Sequence, residues 1–193
     1  MVDTRYDYCI GTADEKLKKS LAAMLAEAGY YSSGQGNSVP VLLRKLRAVQ
    51  PWLVVVDTAL PPGNIEELAE IIENDGLAAS IYINTTGARM NHYVQLSWPT
   101  EAPVLIAVAD AVCCEFTRKK KLQKEIEILQ RKINQRKLVE KAKGLLAKLY
   151  SLTEDEAYHF IRQSSMEQRL TMAEMARQII NEPESFSALL QHR

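Results

Sequence analysis

The chain has 193 residues, 47% of them apolar and 25% charged, with 24 basic side chains balancing 24 acidic ones. That composition suits one large or two small soluble domains. No apolar run approaches the roughly 18 residues that span a bilayer, and Met1–Arg5 opens without an apolar signal core, so a cytoplasmic protein away from membranes is expected.

The first half alternates strands and helices. Tyr6 to Gly11 is a short apolar run, and the spacing of Leu17, Leu21, Met24 and Leu25 predicts a helix from Asp14 to Ala28. Gly29 should stop that helix. A weak strand begins at Tyr30-Tyr31, and Val39 to Val49 suits a helix with Ser38 as its cap. Leu53-Val54-Val55-Val56 is the continuous run of a central parallel strand, buried on both faces. Asn64 to Asn74 then reads as helix, Ser80 to Asn84 as strand and Tyr93 to Leu96 as a last short strand. The order predicts a doubly wound α/β domain, a parallel sheet with helices on both faces.

Pro103 can sit in the first turn of a helix, where its missing N–H costs nothing. From Val104 to about Tyr150 there is no further proline and no glycine before Gly144, so a long helix, continuous or interrupted, is predicted. Within it Leu122, Ile126, Leu129 and Ile133 alternate steps of four and three. Two heptads of this kind fit a helix packed on its own domain as well as a parallel coiled coil. Farther on, Leu138, Ala142, Leu145, Leu146 and Leu149 form one apolar stripe. Thr153 with Glu156, and Thr171 with Glu174, have capping-box spacing and should each start a helix. The first would run to about Ser165 with Ala157, Phe160 and Ile161 inward. The second would carry Met172, Met175, Ala176, Ile179 and Ile180 until Pro183 stops it. Three short amphipathic helices can close one small core. By pattern alone, that core fits a plain helical dimerisation module as readily as a nucleic-acid binder.

Charge separates the halves. Residues 1–115 hold 8 basic against 14 acidic side chains, residues 116–193 hold 16 against 10, and Arg118 to Lys148 alone holds 12 against 3. Such a density attracts a polyanion, and binding to it would be strongly salt-dependent. The three cysteines, Cys9, Cys113 and Cys114, lack metal-ligand spacing and fit buried thiols in a reducing compartment. Neither a nucleophile beside a base nor a glycine-rich phosphate loop stands out, and His92, His159 and His192 are scattered. No enzyme, cofactor or metal is therefore expected.

Arg136, Ala142-Lys143-Gly144-Leu145-Leu146, Glu156-Ala157, Ile161-Arg162, Arg169 and Ala176 stand at spacings that resemble the ANTAR family over an ungapped segment from Arg136 to Asn181. The resemblance implies an RNA-binding output domain of a bacterial transcription antitermination regulator. Such a protein would hold paired stem-loops in a nascent leader transcript and keep an overlapping terminator from forming. It further implies a homodimer, with the helical seam as its coiled coil. Arg136, Lys137, Lys143, Arg162 and Arg169 are then the expected RNA contacts. Tyr158 or His159 would be a stacking group, and Gly144 would allow close approach of a helix or of RNA.

Asp57-Thr58-Ala59-Leu60-Pro61 at the end of the buried strand, with Ala28-Gly29-Tyr30, resembles the receiver domains of response regulators, a flavodoxin-like fold. The receiver pattern places an acidic pair where this chain has Thr12 and Ala13, with Asp14 and Glu15 one and two residues late. It also places a lysine before the proline where this chain has Trp98-Pro99. The switch hydroxyl would be Thr85, unless Asn84 takes that place. Asp57 could still accept phosphate with Asp14 or Glu15 as makeshift metal ligands. The reading preferred is a degenerate receiver, with Asp57 hydrated or capping a turn, because phosphoryl transfer depends on the charges that are missing. Its input would be a protein partner or a ligand.

The expected organisation is a pseudo-receiver over residues 1–115, a coiled-coil linker over 116–135 and an RNA-binding domain over 136–193. A protein-binding signalling adaptor would explain the seam but not the basic excess. A DNA-binding response regulator would need a polar recognition helix, and Thr171 to Asn181 is mainly apolar.

Overall fold

A computed structural model describes residues 7–87 and 89–186; Tyr6, the Met1–Arg5 start and His192 lie outside them. The chain divides into two compact units, Met1–Lys121 and Leu122–Arg193.

The first unit is built on five parallel strands in the order β2-β1-β3-β4-β5. They are β1 (Asp7–Gly11), β2 (Tyr31–Gly36), β3 (Leu53–Asp57), β4 (Ala79–Asn84) and β5 (Gln95–Ser97). All five residues of β3 are buried, as a strand covered on both faces requires. Alternation along the strands sorts the core into two layers. Tyr8, Ile10, Val55, Ile81 and Ile83 pack with Leu17, Leu21 and Leu25 of α1 (Glu15–Glu27) and with Leu105, Ala109 and Cys113 of α4 (Ala102–Tyr150). Cys9, Val54, Val56 and Tyr82 pack with Leu42 and Leu46 of α2 (Val39–Val49) and Leu68 and Ile72 of α3 (Ile65–Asn74). Gly36 lets α2 lie close on β2, since a Cβ there would stand 2.7 Å from the backbone of Leu42.

Several boundaries shift from the sequence reading for local reasons. Asp14 is the N-cap of α1 and not its first residue, accepting from the Lys16 and Leu17 amides. Asn64 caps α3 in the same way. Ser38 sits at the cap position of α2 but makes no side-chain cap bond. Gly29 follows α1 with φ +84, the left-handed conformation expected of it. Tyr30 precedes β2 and is buried, its hydroxyl donating to Asp110 at 2.6 Å. β5 starts two residues later than predicted, and the Tyr93 ring instead meets Tyr82 edge-on at 5.6 Å. Between β4 and β5 the described residues form no helix.

In the second unit the later turns of α4 pack with α5 (Glu154–Glu167), α6 (Met172–Asn181) and a 3-10 turn at Pro183–Phe186. α4 is one uninterrupted 49-residue helix. Both predicted capping boxes form, with Thr153 and Glu156 at α5 and Thr171 and Glu174 at α6 bonding reciprocally. Accepting from Thr153 and Thr171 holds both glutamates below the usual carboxylate range. The core joins Ala142 and Leu146 to Phe160, Ile161, Met175, Ala176 and Ile179, closed by Phe186. The apolar stripe of α4 is shorter than its pattern suggested, because Leu149 is 54% exposed. Of the cysteines, Cys9 and Cys113 are buried, whereas Cys114 is exposed, contrary to expectation.

Candidate nucleic-acid interface

The receiver-like aspartate has a neutral, hydroxyl-bonded setting. Asp57 ends β3 and is 4% exposed. Thr12, at the end of the neighbouring β1, donates its hydroxyl to Asp57 Oδ2 at 2.8 Å and accepts the Asp14 amide at 3.0 Å. Thr85, just past β4, donates to Oδ1 at 2.7 Å, and the Ala59 amide reaches the same oxygen at 2.9 Å. Thr85 therefore supplies the hydroxyl left open between it and Asn84. Asn84 turns away to accept the Thr86 and Gly87 amides. Asp57 does cap a turn, and the hydroxyls of Thr12 and Thr85 also donate to its carboxylate. The expected makeshift ligands are engaged elsewhere: Asp14 caps α1, and Glu15 pairs with Lys18. Among the described residues no three acidic, histidine or cysteine side chains gather as a metal site. Thr12 was legible as a missing acid; that it takes over as donor to Asp57 was not.

The basic candidates of the second unit fall into two groups. Arg136 and Lys137 are exposed on α4, and Arg162 is exposed on α5. Arg162 shares a shallow cavity of about 380 Å³ with His159, Gln163 and Met166, one turn-to-turn face of α5. Tyr158 stands beside it, 41% exposed and edge-on to His159 at 6.4 Å between ring centres. Cation, amide and ring thus lie on one open face. Lys143 is different. Its side chain is only 13% exposed, and its ammonium reaches Glu140 at 3.0 Å and Glu154 at 3.4 Å. The hydrogen bond to Glu140 raises its pKa above the ordinary lysine value. Lys143 ties the end of α4 to the start of α5.

Comparisons with known proteins fit both halves. The family model of the ANTAR domain matches residues 127–180. The second unit contains an ANTAR domain. The transcriptional regulatory protein PdtaR of Mycobacterium tuberculosis is 27% identical to this chain over 176 residues, 86% of each protein. The first unit has the receiver fold. The signal receiver domain of a modulated diguanylate cyclase from Desulfovibrio desulfuricans G20 superposes with a TM-score of 0.54 at 17% identity, over 59% of this chain and 98% of that one. A LuxR-family DNA-binding response regulator from Staphylococcus aureus gives 0.51 at 13% identity, over 56% and 98%. The chain accordingly has a receiver-like domain ahead of the segment that matches the ANTAR domain.

Two residues of the ANTAR domain stand where stability alone would choose otherwise. Gly144 lies in the interior of α4, exposed, and a Cβ there would meet nothing within 4 Å. Among the described residues it serves no helix packing, one of the two roles expected of it. Arg169 takes φ +56 directly after α5, where the Leu170 amide bonds back to the Ser165 carbonyl at 2.9 Å. That turn favours glycine. A helix-interior glycine costs about 0.5–1 kcal/mol against alanine, and a left-handed non-glycine residue about 1 kcal/mol or more. Gly144→Ala and Arg169→Gly are each expected to raise the unfolding free energy by roughly 0.5–1 kcal/mol in urea titrations. A loss of stability in either would show that the residue is retained for the fold.

Proposed function

We propose that this chain is a cytoplasmic antitermination regulator that binds RNA. Its targets are paired stem-loops of a nascent leader transcript, which it holds so that an overlapping terminator does not form. The observation that carries this reading is the ANTAR domain at residues 127–180. The exposed cation-and-ring face of its α5 supports it, since RNA loops are read through splayed bases, stacking and backbone contacts. Two copies would join through Leu122, Ile126, Leu129 and Ile133, and each would bring one RNA face. Arg136, Lys137, Arg162 and Arg169 are the proposed phosphate and loop contacts, with Gly144 permitting close approach. Lys143 acts mainly by fixing α5. Residues 1–115 would serve as an input domain that senses a protein or small ligand without phosphate at Asp57, residues 116–135 as the joining helix and 136–193 as the output. No cofactor or catalytic step is part of this reading.

A DNA reading is less favoured. The family match favours RNA over DNA, although the last helix, α6, buries only Met175, Ala176 and Ile179 and leaves Glu174, Arg177, Gln178 and Asn181 exposed. The test is binding of a two-hairpin RNA by the full chain across a salt series. Arg162→Ala and Arg169→Gly should keep wild-type helicity, weaken binding to every loop sequence alike and each lower the salt slope by about one. Duplex DNA of matched length should compete poorly. Equal competition by DNA, or wild-type binding by both variants, would overturn the reading.

A further inference from the structure

We propose a nucleobase-reading groove on the ANTAR domain, distinct from the α5 face, that takes one unpaired RNA base by its hydrogen-bonding edge. The groove is a cavity of about 600 Å³ lined by Gln130, Arg131, Asn134 and Gln135 of α4 and by Glu174 and Arg177 of α6. That volume suits a small polar ligand. The inference rests on the RNA reading and adds where sequence would be discriminated.

Three observations point the same way. The four α4 residues occupy two successive turns of one helix side, and all four are exposed. Among the described residues, no side chain of these four is engaged in a hydrogen bond or ion pair, whereas Lys143 and Gln163 nearby in sequence are engaged. Side-chain amides offering a donor and an acceptor together are suited to the paired edge groups of a base, and arginine to those of guanine. Charge then distinguishes base from phosphate. Arg131 and Arg177 are matched by Glu127 and Glu174 on the same lining, so the groove carries no net charge, and because Glu174 already accepts from Thr171, Glu127 is the carboxylate left to a base. A phosphate site needs a cationic excess. A base edge needs complementary donors and acceptors, including a carboxylate for an exocyclic amino group.

The groove also stays open in a dimer. At about 100° per residue, its centre on α4 lies roughly 140° around the helix from Leu122, Ile126, Leu129 and Ile133, with Gln130 nearest to that seam at about 70°. A second copy seated on that seam would leave one groove free on each chain, one for each of two loops.

The experiment measures binding of the full chain to two-hairpin RNAs carrying each of the four bases at every loop position, over a salt series. Asn134→Ala and Gln130→Ala place a strong helix former at exposed helical sites, so circular dichroism should be unchanged. Each should weaken binding to the preferred loop by ~10-fold and flatten discrimination at one loop position, with the salt slope as in wild type. Arg162→Ala should instead lower the slope and leave discrimination intact. Wild-type discrimination in both amide variants, while Arg162→Ala still weakens binding, overturns the groove and leaves RNA binding standing. Uniform weakening with a lower slope would also overturn it, as a phosphate contact. Absence of RNA binding by the wild type, or capture of a peptide in its place, would overturn both readings.

Discussion

Asp57→Ala should lower the stability of the first unit by about 1–3 kcal/mol, and phosphodonor with magnesium should add nothing to Asp57 in the wild type. The first expectation follows from what the carboxylate holds. It accepts the Thr12 and Thr85 hydroxyls and the Ala59 amide, and Thr12 is only 4% exposed. Alanine would leave the Thr12 hydroxyl buried without its acceptor, a loss of about 1–3 kcal/mol, whereas water can serve Thr85, which is exposed. Asp57→Asn keeps the shape and one carbonyl acceptor, so it should fall between wild type and alanine. The second expectation follows from what faces the carboxylate. A divalent cation would find a threonine hydroxyl in place of a carboxylate, and a phosphoryl group would find Trp98 where a cation is needed. Trp98 is instead partly buried against the first core layer. Urea denaturation of the variants and intact-mass measurement after incubation test the two together. One added phosphoryl group, absent from Asp57→Asn, would refute the phosphate-independent input. An Asp57→Ala protein as stable as wild type would show that the threonine bonds stabilise nothing.

The two halves of this chain differ in how much their sequences disclose. The sheet was legible because Leu53 to Val56 can only be a buried strand and because Gly29 ends a strongly periodic helix. Both capping boxes were legible because their chemistry is local, three residues apart. What escaped the sequence reading depends on residues far apart in the chain. The Thr12–Asp57–Thr85 bonds join the ends of three strands, and nothing near any one of these residues signals the other two. The groove residues Gln130 and Asn134 carry no signal in the sequence, and only the packing of α6 brings them together with Arg177. The sequence reading made Lys143 an RNA contact, and its pairing with Glu154 was not visible because that partner lies across a turn. Leu149 satisfied the apolar period and is nonetheless exposed, since the helix bends into Ser151 at φ +56 before that stripe could be covered.

The seam of α4 carries the other large expected effect: Ile126→Asp combined with Leu129→Asp should convert a dimer into monomers. In a single chain Leu122, Ile126, Leu129 and Ile133 are 51%, 47%, 57% and 52% exposed, although they are the apolar positions of a coiled-coil repeat. Burying the exposed half of each in a matching seam would contribute ~1 kcal/mol per side chain, so eight side chains give roughly 8 kcal/mol before the cost of association. An association cost of about 4 kcal/mol or more leaves a weak dimer from this seam alone, and binding both arms to one RNA would raise the effective concentration and strengthen the pairing. The double substitution removes half of this apolar area. It also places four carboxylates in the interface, where unpaired charges are strongly disfavoured. Both positions are exposed in the single chain, so the fold of each unit should survive, and circular dichroism should show wild-type helicity. Light scattering should then give the dimer mass for wild type and the monomer mass for the variant. RNA bearing two hairpins should lose affinity for the variant far more than RNA bearing one. A wild-type chain that is monomeric both with and without RNA would sink the seam as an interface, and equal losses for one- and two-hairpin RNA would sink the pairing of loops by a dimer.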